Sequence, residues 1–362
     1  MRRFYVIWIL ATTILAKCHS IERVGTLPSF SLQGVDGKLY TNDDFEGKDL
    51  LAVIFLSNHC RVSQIFQSQL VKLSDIFKNE RVSIVAVSPN YEQAILPDEL
   101  AYSDLGDSFL EMKKRAYRIK YTFPYLFDGD NQEFTRKIGV RITPTVYLYN
   151  KNRELVYVGR IGNHETSNRI ESSDLYKSIK LNLVSKENKF KRTKVFGTSI
   201  KFMEDLVLAE QVRKRYAGET VKVTKADERK LKFYLSHQTL KPKLFYIWQV
   251  ADKETRNNLI TISTLYKIFR KRGLKLITVC IAENENNENV IELLKQAQLS
   301  STNFIVAGSQ ISPLTTIIPA DIKSVTPFYR LLGSNGEMLR GGKGVILKDS
   351  LRLEILESLN KE

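Results

Sequence analysis

The chain has 362 residues, 43% of them hydrophobic and 26% charged. That composition excludes fibrous and wholly disordered classes, and the length suits two domains, each burying its own core. Its 55 Lys and Arg against 40 Asp and Glu give a formal charge of +15. The cations are spread without an aromatic-interleaved motif, so nucleic acid is not an expected partner. The excess reads as a solvated basic surface, with peripheral contact to an anionic membrane surface as the alternative.

Residues 1–20, MRRFYVIWILATTILAKCHS, place Arg2 and Arg3 ahead of an apolar run from Phe4 to Ala16, the layout of a signal peptide. Export to a periplasmic or extracellular location is the expectation. The run falls short of the ~20 residues that cross a bilayer, which leaves an uncleaved N-terminal membrane anchor as second choice. Lys17 disfavours acylation of Cys18, because the residue before such a cysteine is small. Removing this segment takes away Arg2, Arg3 and Lys17 and no acid, lowering the formal charge by three to +12. Only Cys60 and Cys280 then remain, too few for a disulfide scaffold.

The first domain is expected over 21–185. FSLQGVDGKLYT reads as an opening strand and turn, and DLLAVIFLS as a strand buried on both faces, ending near Cys60. In RVSQIFQSQLVKLSDIF, residues Val62, Ile65, Phe66, Leu70, Leu73, Ile76 and Phe77 share one helical face. RVSIVAVSP is the next strand, so Cys60 sits at the strand-to-helix junction of a right-handed crossover. There follow a polar insertion (NYEQAILPDELAYSDLGD), a helix (SFLEMKKRAYRI), a short strand (FPYLFD), a helix (QEFTRKIG) and the hairpin TPTVYLYNKNRELVYVGRI. The fold class is α/β, an α/β/α sandwich. Pro144 enters a strand after Thr143, an unusual place for a residue that cannot donate to the ladder.

These segments resemble the redoxin, or peroxiredoxin-like, branch of the thioredoxin superfamily, which includes alkyl hydroperoxide reductases and thiol-specific antioxidant proteins. The resemblance rests on SNHCRVSQ around Cys60, on Ser108 to Asn150, and on ELVYVGRIGN from Glu154 to Asn163. It implies a cis Pro144 beside Cys60, with Thr143 and Pro144 forming the facing wall and offering a backbone carbonyl to a bound chain. It also locates the departures. Arg61 stands where such proteins often have Pro, and further cysteines of the family fall at Ile142 and, in a Gly-Cys-x-Ile context, at Thr198. Ser57 matches a Thr/Ser-x-x-Cys element that contacts peroxide, whereas the proline that opens that element is Val53 here.

The stretch 186–240 is charged and polar and is expected to be a helical connector. Beyond it, 241–362 repeats the first domain. An ungapped offset of 183 aligns Thr143 with Thr326, Pro144 with Pro327, Leu148 with Leu331, Asn152 with Asn335, Glu154 with Glu337 and Gly159 with Gly342. KLFYIWQV, ETRNNLITISTLYKIFRKRG and LKLITVCIA repeat strand, helix and strand. The cysteine position falls near Asp252 or Lys253, so this second thioredoxin-like domain is degenerate. Cys280, inside an apolar strand, is expected to be a small buried hydrophobe.

A helix N-terminus favours a thiolate, and Arg61, or His59 if protonated, would add to that at Cys60, although His59 is expected to be an exposed loop residue. Ser63 replaces the second cysteine of a dithiol cycle. The expected function is therefore an exported thiol oxidoreductase with Cys60 as sole redox nucleophile, acting on a peroxide or polypeptide substrate and resolved by an external thiol reductant or thioredoxin-like protein. The alternative is a non-catalytic polypeptide-binding or scaffold protein built from degenerate thioredoxin domains. No cofactor and no metal are expected: Gln64 occupies the second position that copper delivery needs, and His164 and His237 lack ligand spacing.

Overall fold

The computed structural model describes residues 25–163, 168–184, 190–236, 241–282, 288–307 and 326–361. The expected signal segment with Cys18, and both His164 and His237, lie outside them. Among the described residues no helix is long and apolar enough to cross a membrane.

The first half begins with a hairpin of β1 (Ser31–Gly34) and β2 (Leu39–Thr41), followed by β3 (Leu50–Phe55), α1 (Arg61–Ile76) and β4 (Val82–Ser88). It continues with α2 (Phe109–Ile119), β5 (Tyr125–Phe127), α3 (Glu133–Ile138), β6 (Ile142–Thr143), β7 (Thr145–Tyr149), β8 (Leu155–Gly159) and α4 (Asp174–Val184). All six residues of β3 are buried, as its unbroken apolar run demands of a central strand. Its neighbours are β4, parallel, and β7, antiparallel. Alternation along the strand separates two cores. Leu50, Ala52 and Ile54 face Phe66, Leu70 and Leu73 of α1 with Leu175 and Ile179 of α4, whereas Val53 and Phe55 face Phe30, Phe134 and Ile138. Each such side chain contributes roughly 1.5–3 kcal/mol on burial.

The stretch expected to be a helical connector is instead woven into both sheets. It supplies β9 (Lys191–Arg192), paired with β8, and β10 (Thr198–Ser199), paired with β6. Helix α5 (Leu206–Ala217) leads to β11 (Val223–Lys225), which pairs with a strand of the second half, and to α6 (Glu228–Ser236). Charge in the sequence hid the alternate apolar residues that anchor it: Ile200 and Phe202 join the first core and Leu231 the second.

The second half comprises β12 (Lys243–Trp248), α7 (Thr255–Phe269), β13 (Lys275–Ala282), α8 (Glu288–Gln296), β14 (Thr302–Ala307), β15 (Phe328–Leu332), β16 (Met338–Lys343) and α9 (Lys348–Asn360). In its sheet order, β11-β14-β13-β12-β15-β16, the last five strands repeat the β5-β4-β3-β7-β8 run of the first sheet. The repeat extends to irregularities. Both hairpins slip register at matching positions, Leu148/Tyr149 and Leu331/Leu332. Arg153 and its counterpart Gly336 both take positive φ, 61° and 85°, in the turn. Thr143-Pro144 and Thr326-Pro327 are both cis.

The polar insertion is not a solvated excursion. Ala94, Ile95, Ala101 and Leu105 are buried, and Ala101 belongs to the core of the second half. There Arg352 of α9, 2% exposed, donates to the Ser103 carbonyl (2.9 Å) and the Leu100 carbonyl (3.1 Å) and lies 3.5 Å from Glu111. Burial pulls its guanidinium below the ordinary arginine range, with Glu111 the first of the acids that counter this.

Candidate active site around Cys60

The sheet delivers Cys60 to the start of α1. Leu56 still bonds to Val87 of β4 (2.9 Å), after which the chain leaves the sheet, and Cys60 becomes the N-cap residue, its carbonyl accepting the Gln64 N–H (3.1 Å). Its thiol donates to the Thr143 carbonyl oxygen at 3.1 Å, so the cysteine faces the β6–β7 junction that the resemblance placed beside it. Cys60 is fully buried. Thr143 and Pro144 are buried too, and the Thr143 hydroxyl lies 3.5 Å from the Thr198 carbonyl.

The cluster behind the cysteine was only half visible in the sequence. His59, expected at the surface, is 2% exposed because a buried carboxylate, Asp107, draws the whole loop inward. Asp107 Oδ1 accepts the backbone N–H groups of Asn58 (2.6 Å) and His59 (3.2 Å). Its Oδ2 meets His59 Nδ1 (2.8 Å), the Ser57 hydroxyl (2.9 Å) and the Asn90 amide (2.6 Å). Burial pushes this carboxyl upward, but His59, through charge and hydrogen bond, together with Ser57 and Asn90, outweighs it and holds the group below the usual carboxylate range. With Nδ1 donating to Asp107, His59 Nε2 is left buried without a hydrogen-bond partner.

This arrangement reassigns several expected roles. The Ser57 hydroxyl, the expected peroxide contact, is committed to Asp107 and lies 2.9 Å from His59 Nδ1. Ser63 is buried, its hydroxyl accepting the Ser57 N–H at 3.4 Å. Gln64 donates to the Asn58 carbonyl (2.8 Å), bracing the same loop. Arg61 is exposed on the first turn of α1. Asp107, Asn90 and Asn58 were missed because the sequence shows them only as polar loop residues. The one available signal was that Asp107 immediately precedes a helix start at Ser108, whose hydroxyl accepts the Glu111 N–H (3.3 Å).

In the second half, Thr326 donates to Asp252 at 3.2 Å, so an acid occupies the place opposite the cis proline. Cys280 is buried in β13, where desolvation pushes its thiol up to about 12. No group of three or more His, Cys, Asp or Glu among the described residues is placed to hold a metal ion. A cleft of about 690 Å³ between the halves is lined by Asp107, Glu111, Lys214, Tyr216, Lys348 and Arg352 among others. Cys60 is not on its wall.

Residues 23–179 match the family model described as Redoxin. Among solved structures, the chain is similar to a hypothetical protein from Sinorhizobium meliloti 1021, with 25% identity, a TM-score of 0.44, and 51% of this chain and 96% of that one covered. It is also similar to an uncharacterized conserved protein from Geobacillus kaustophilus (26%, TM-score 0.40, 51% and 94%). A third similarity is to a thiol:disulfide interchange protein of the thioredoxin family from Chlorobium tepidum TLS (17%, TM-score 0.34, 44% and 95%). No curated protein matches the chain. The stretch that matches the Redoxin model carries both Cys60 and the cis Pro144.

Proposed function

We propose that the protein is an exported, peroxiredoxin-like thiol oxidoreductase in which Cys60 is the sole redox nucleophile. The observation that carries this is the position of Cys60: at the N-cap of α1, with its thiol on the Thr143 carbonyl, and backed by the buried Ser57–His59–Asp107 cluster. In the reaction the Cys60 thiolate attacks one peroxide oxygen, the O–O bond breaks, and the products are a sulfenic acid and an alcohol or water. One external thiol then displaces water to form a mixed disulfide. A second thiol attacks the reductant's sulfur and frees Cys60, so two external thiols are oxidised for each peroxide reduced. An external source is required because Ser63, Ile142 and Thr198 stand where resolving cysteines would.

The groups around Cys60 have separable roles. The first turn of α1 offers unpaired N–H groups to the anion, and Asp107 fixes the loop 57–59 that orients the cysteine. The test is hydroperoxide consumption by the full chain with a thiol reductant. Cys60→Ser abolishes it, and an unchanged rate would overturn the proposal. The second reading, a polypeptide-binding protein without turnover, draws on the complete burial of Cys60 and on Asp252 at the matching place in the second half. It predicts no peroxide consumption by the native chain.

A further inference from the structure

Cys60 is completely buried, and the segment Gly197–Phe202 runs along the strand that accepts its thiol. Its strand β10 pairs antiparallel with β6, Thr198 opposite Thr143 and Ser199 opposite Ile142. It therefore occupies the backbone edge next to the cysteine, in a two-stranded ribbon separate from the main sheet. The approach is so close that only glycine fits at 197. Its φ is +153°, and a Cβ there would collide with the Thr143 carbonyl oxygen, the same atom that accepts the Cys60 thiol. Beyond β10 the segment is tied down by several bonds. Ile200 N–H donates to the Arg141 carbonyl (2.9 Å), and Lys201 N–H to Asn90 Oδ1 (2.8 Å). The Lys201 carbonyl accepts from Tyr91 (2.9 Å) and Gln132 (2.7 Å), and its ammonium pairs with Glu99 at 2.6 Å. Phe202 lies under the guanidinium groups of Arg136 and Arg141, 4.8 and 4.9 Å from its ring centre.

We infer that Gly197–Phe202 is an intramolecular cover, occupying the strand edge at which an extended polypeptide would pair beside Cys60, and that Cys60 becomes reachable only when this strap lifts. The β10–β6 pairing itself spans only two residues, and an unpaired strand edge is a template for another chain, so release of the strap exposes a thiol and a docking edge together. Asn90 joins the strap to the site, since its amide donates to Asp107 and its carbonyl holds Lys201. The inference rests on the reading of Cys60 as a nucleophile resolved by an external thiol, and the edge is where a polypeptide carrying that thiol would pair.

The experiment measures access to sulfur, not turnover, so the cover and the enzymatic reading fail separately. The full chain is treated with iodoacetamide, and labelling of Cys60 and Cys280 is followed separately by peptide mass mapping. Gly197→Ala, whose Cβ pries the strap from Thr143, raises the Cys60 rate at least about tenfold and leaves buried Cys280 as unreactive as before. An unchanged Cys60 rate overturns the proposal. Should Cys280 also become reactive, the variant has unfolded and the native chain decides. There, amide exchange of Thr198 to Lys201 and alkylation of Cys60 must report the same opening, with protection factors agreeing within about threefold. Cys60 labelling through an opening that leaves the strap amides at least about tenfold more protected also overturns it.

Discussion

Asp107→Asn is the substitution that asks most of the site. The side chain keeps its shape, but five donors now converge on a neutral amide, and the amide NH2 cannot accept from Ser57, His59 and Asn90 where Oδ2 did. Hydrogen bonds to a charged group are worth about 1.5–3 kcal/mol each, and relief from burying a charge offsets part of the loss, so a net destabilisation of about 3–5 kcal/mol is expected. For a urea slope of about 2.5 kcal/mol per molar this lowers the midpoint by roughly 1.5 M. The pH dependence sharpens the test. The folded-state value of Asp107 lies below the ordinary one, so its contribution is present above about pH 4 and is lost as pH falls through the lower folded value. The native chain therefore loses stability with acid in that window, and Asp107→Asn shows a flatter profile there. Urea midpoints read by circular dichroism from pH 7 downward decide it. A variant within about 1 kcal/mol of the native chain, or one with the same acid slope, refutes the argument.

Two further outcomes are expected. With its thiol pushed up to about 12 in the fold and near 8.5 when unfolded, Cys280 releases its proton first in the unfolded chain, so stability falls as pH rises between those values. Cys280→Ala removes that alkaline component from the urea midpoints, and an unaltered alkaline slope counts against the assignment. At the junction of the halves, Arg352→Ala deletes donors to two carbonyls and a buried partner of Glu111, at about 3–5 kcal/mol, whereas Arg352→Met, which keeps most of the volume, costs less than half as much. Equal losses from the two would mean that the lost donors alone, and not packing, set the cost there.

What the sequence revealed follows the physical strength of each signal. Strands β3 and β12 were legible because unbroken apolar runs of strand length have few other uses, and the second copy was legible because hairpins preserve turn geometry at a fixed offset. Cys60 and Pro144 were legible as chemically singular residues. Asp107 was not, since its five donors come from Ser57, Asn58, His59 and Asn90, and no local pattern announces a contact across 17 to 50 positions. His59 was misplaced for the same reason, because a polar loop residue is exposed unless a distant partner compensates its burial. Segment 190–236 was misread because its composition is that of a solvated helix, while only a few residues, Ile200, Phe202 and Leu231 among them, anchor it in the two cores.

A half that holds Asp252 and no cysteine opposite its cis proline still acts on the site, through packing. The segment 97–111 connects the two. At one end Pro97–Tyr102 lies against α7, with Ala101 in the second core and its carbonyl accepting from Arg272 (2.8 Å). In the middle Arg352 fixes the carbonyls of Leu100 and Ser103, and the Ser103 hydroxyl in turn donates to the Asn58 carbonyl (2.9 Å). At the other end Gly106 donates to Glu111 (2.8 Å), accepts the Asn58 amide (2.7 Å), and precedes Asp107. Arg352 of α9 is thus connected to the loop 57–59 through hydrogen bonds carried by this segment. Ordering 97–111 alone would cost on the order of 1–2 kcal/mol per residue, and part of what offsets this comes from Ala101 and Leu100 packing into the core of the second half. The second half thereby helps to hold in place the carboxylate that bonds to the loop 57–59 beside Cys60.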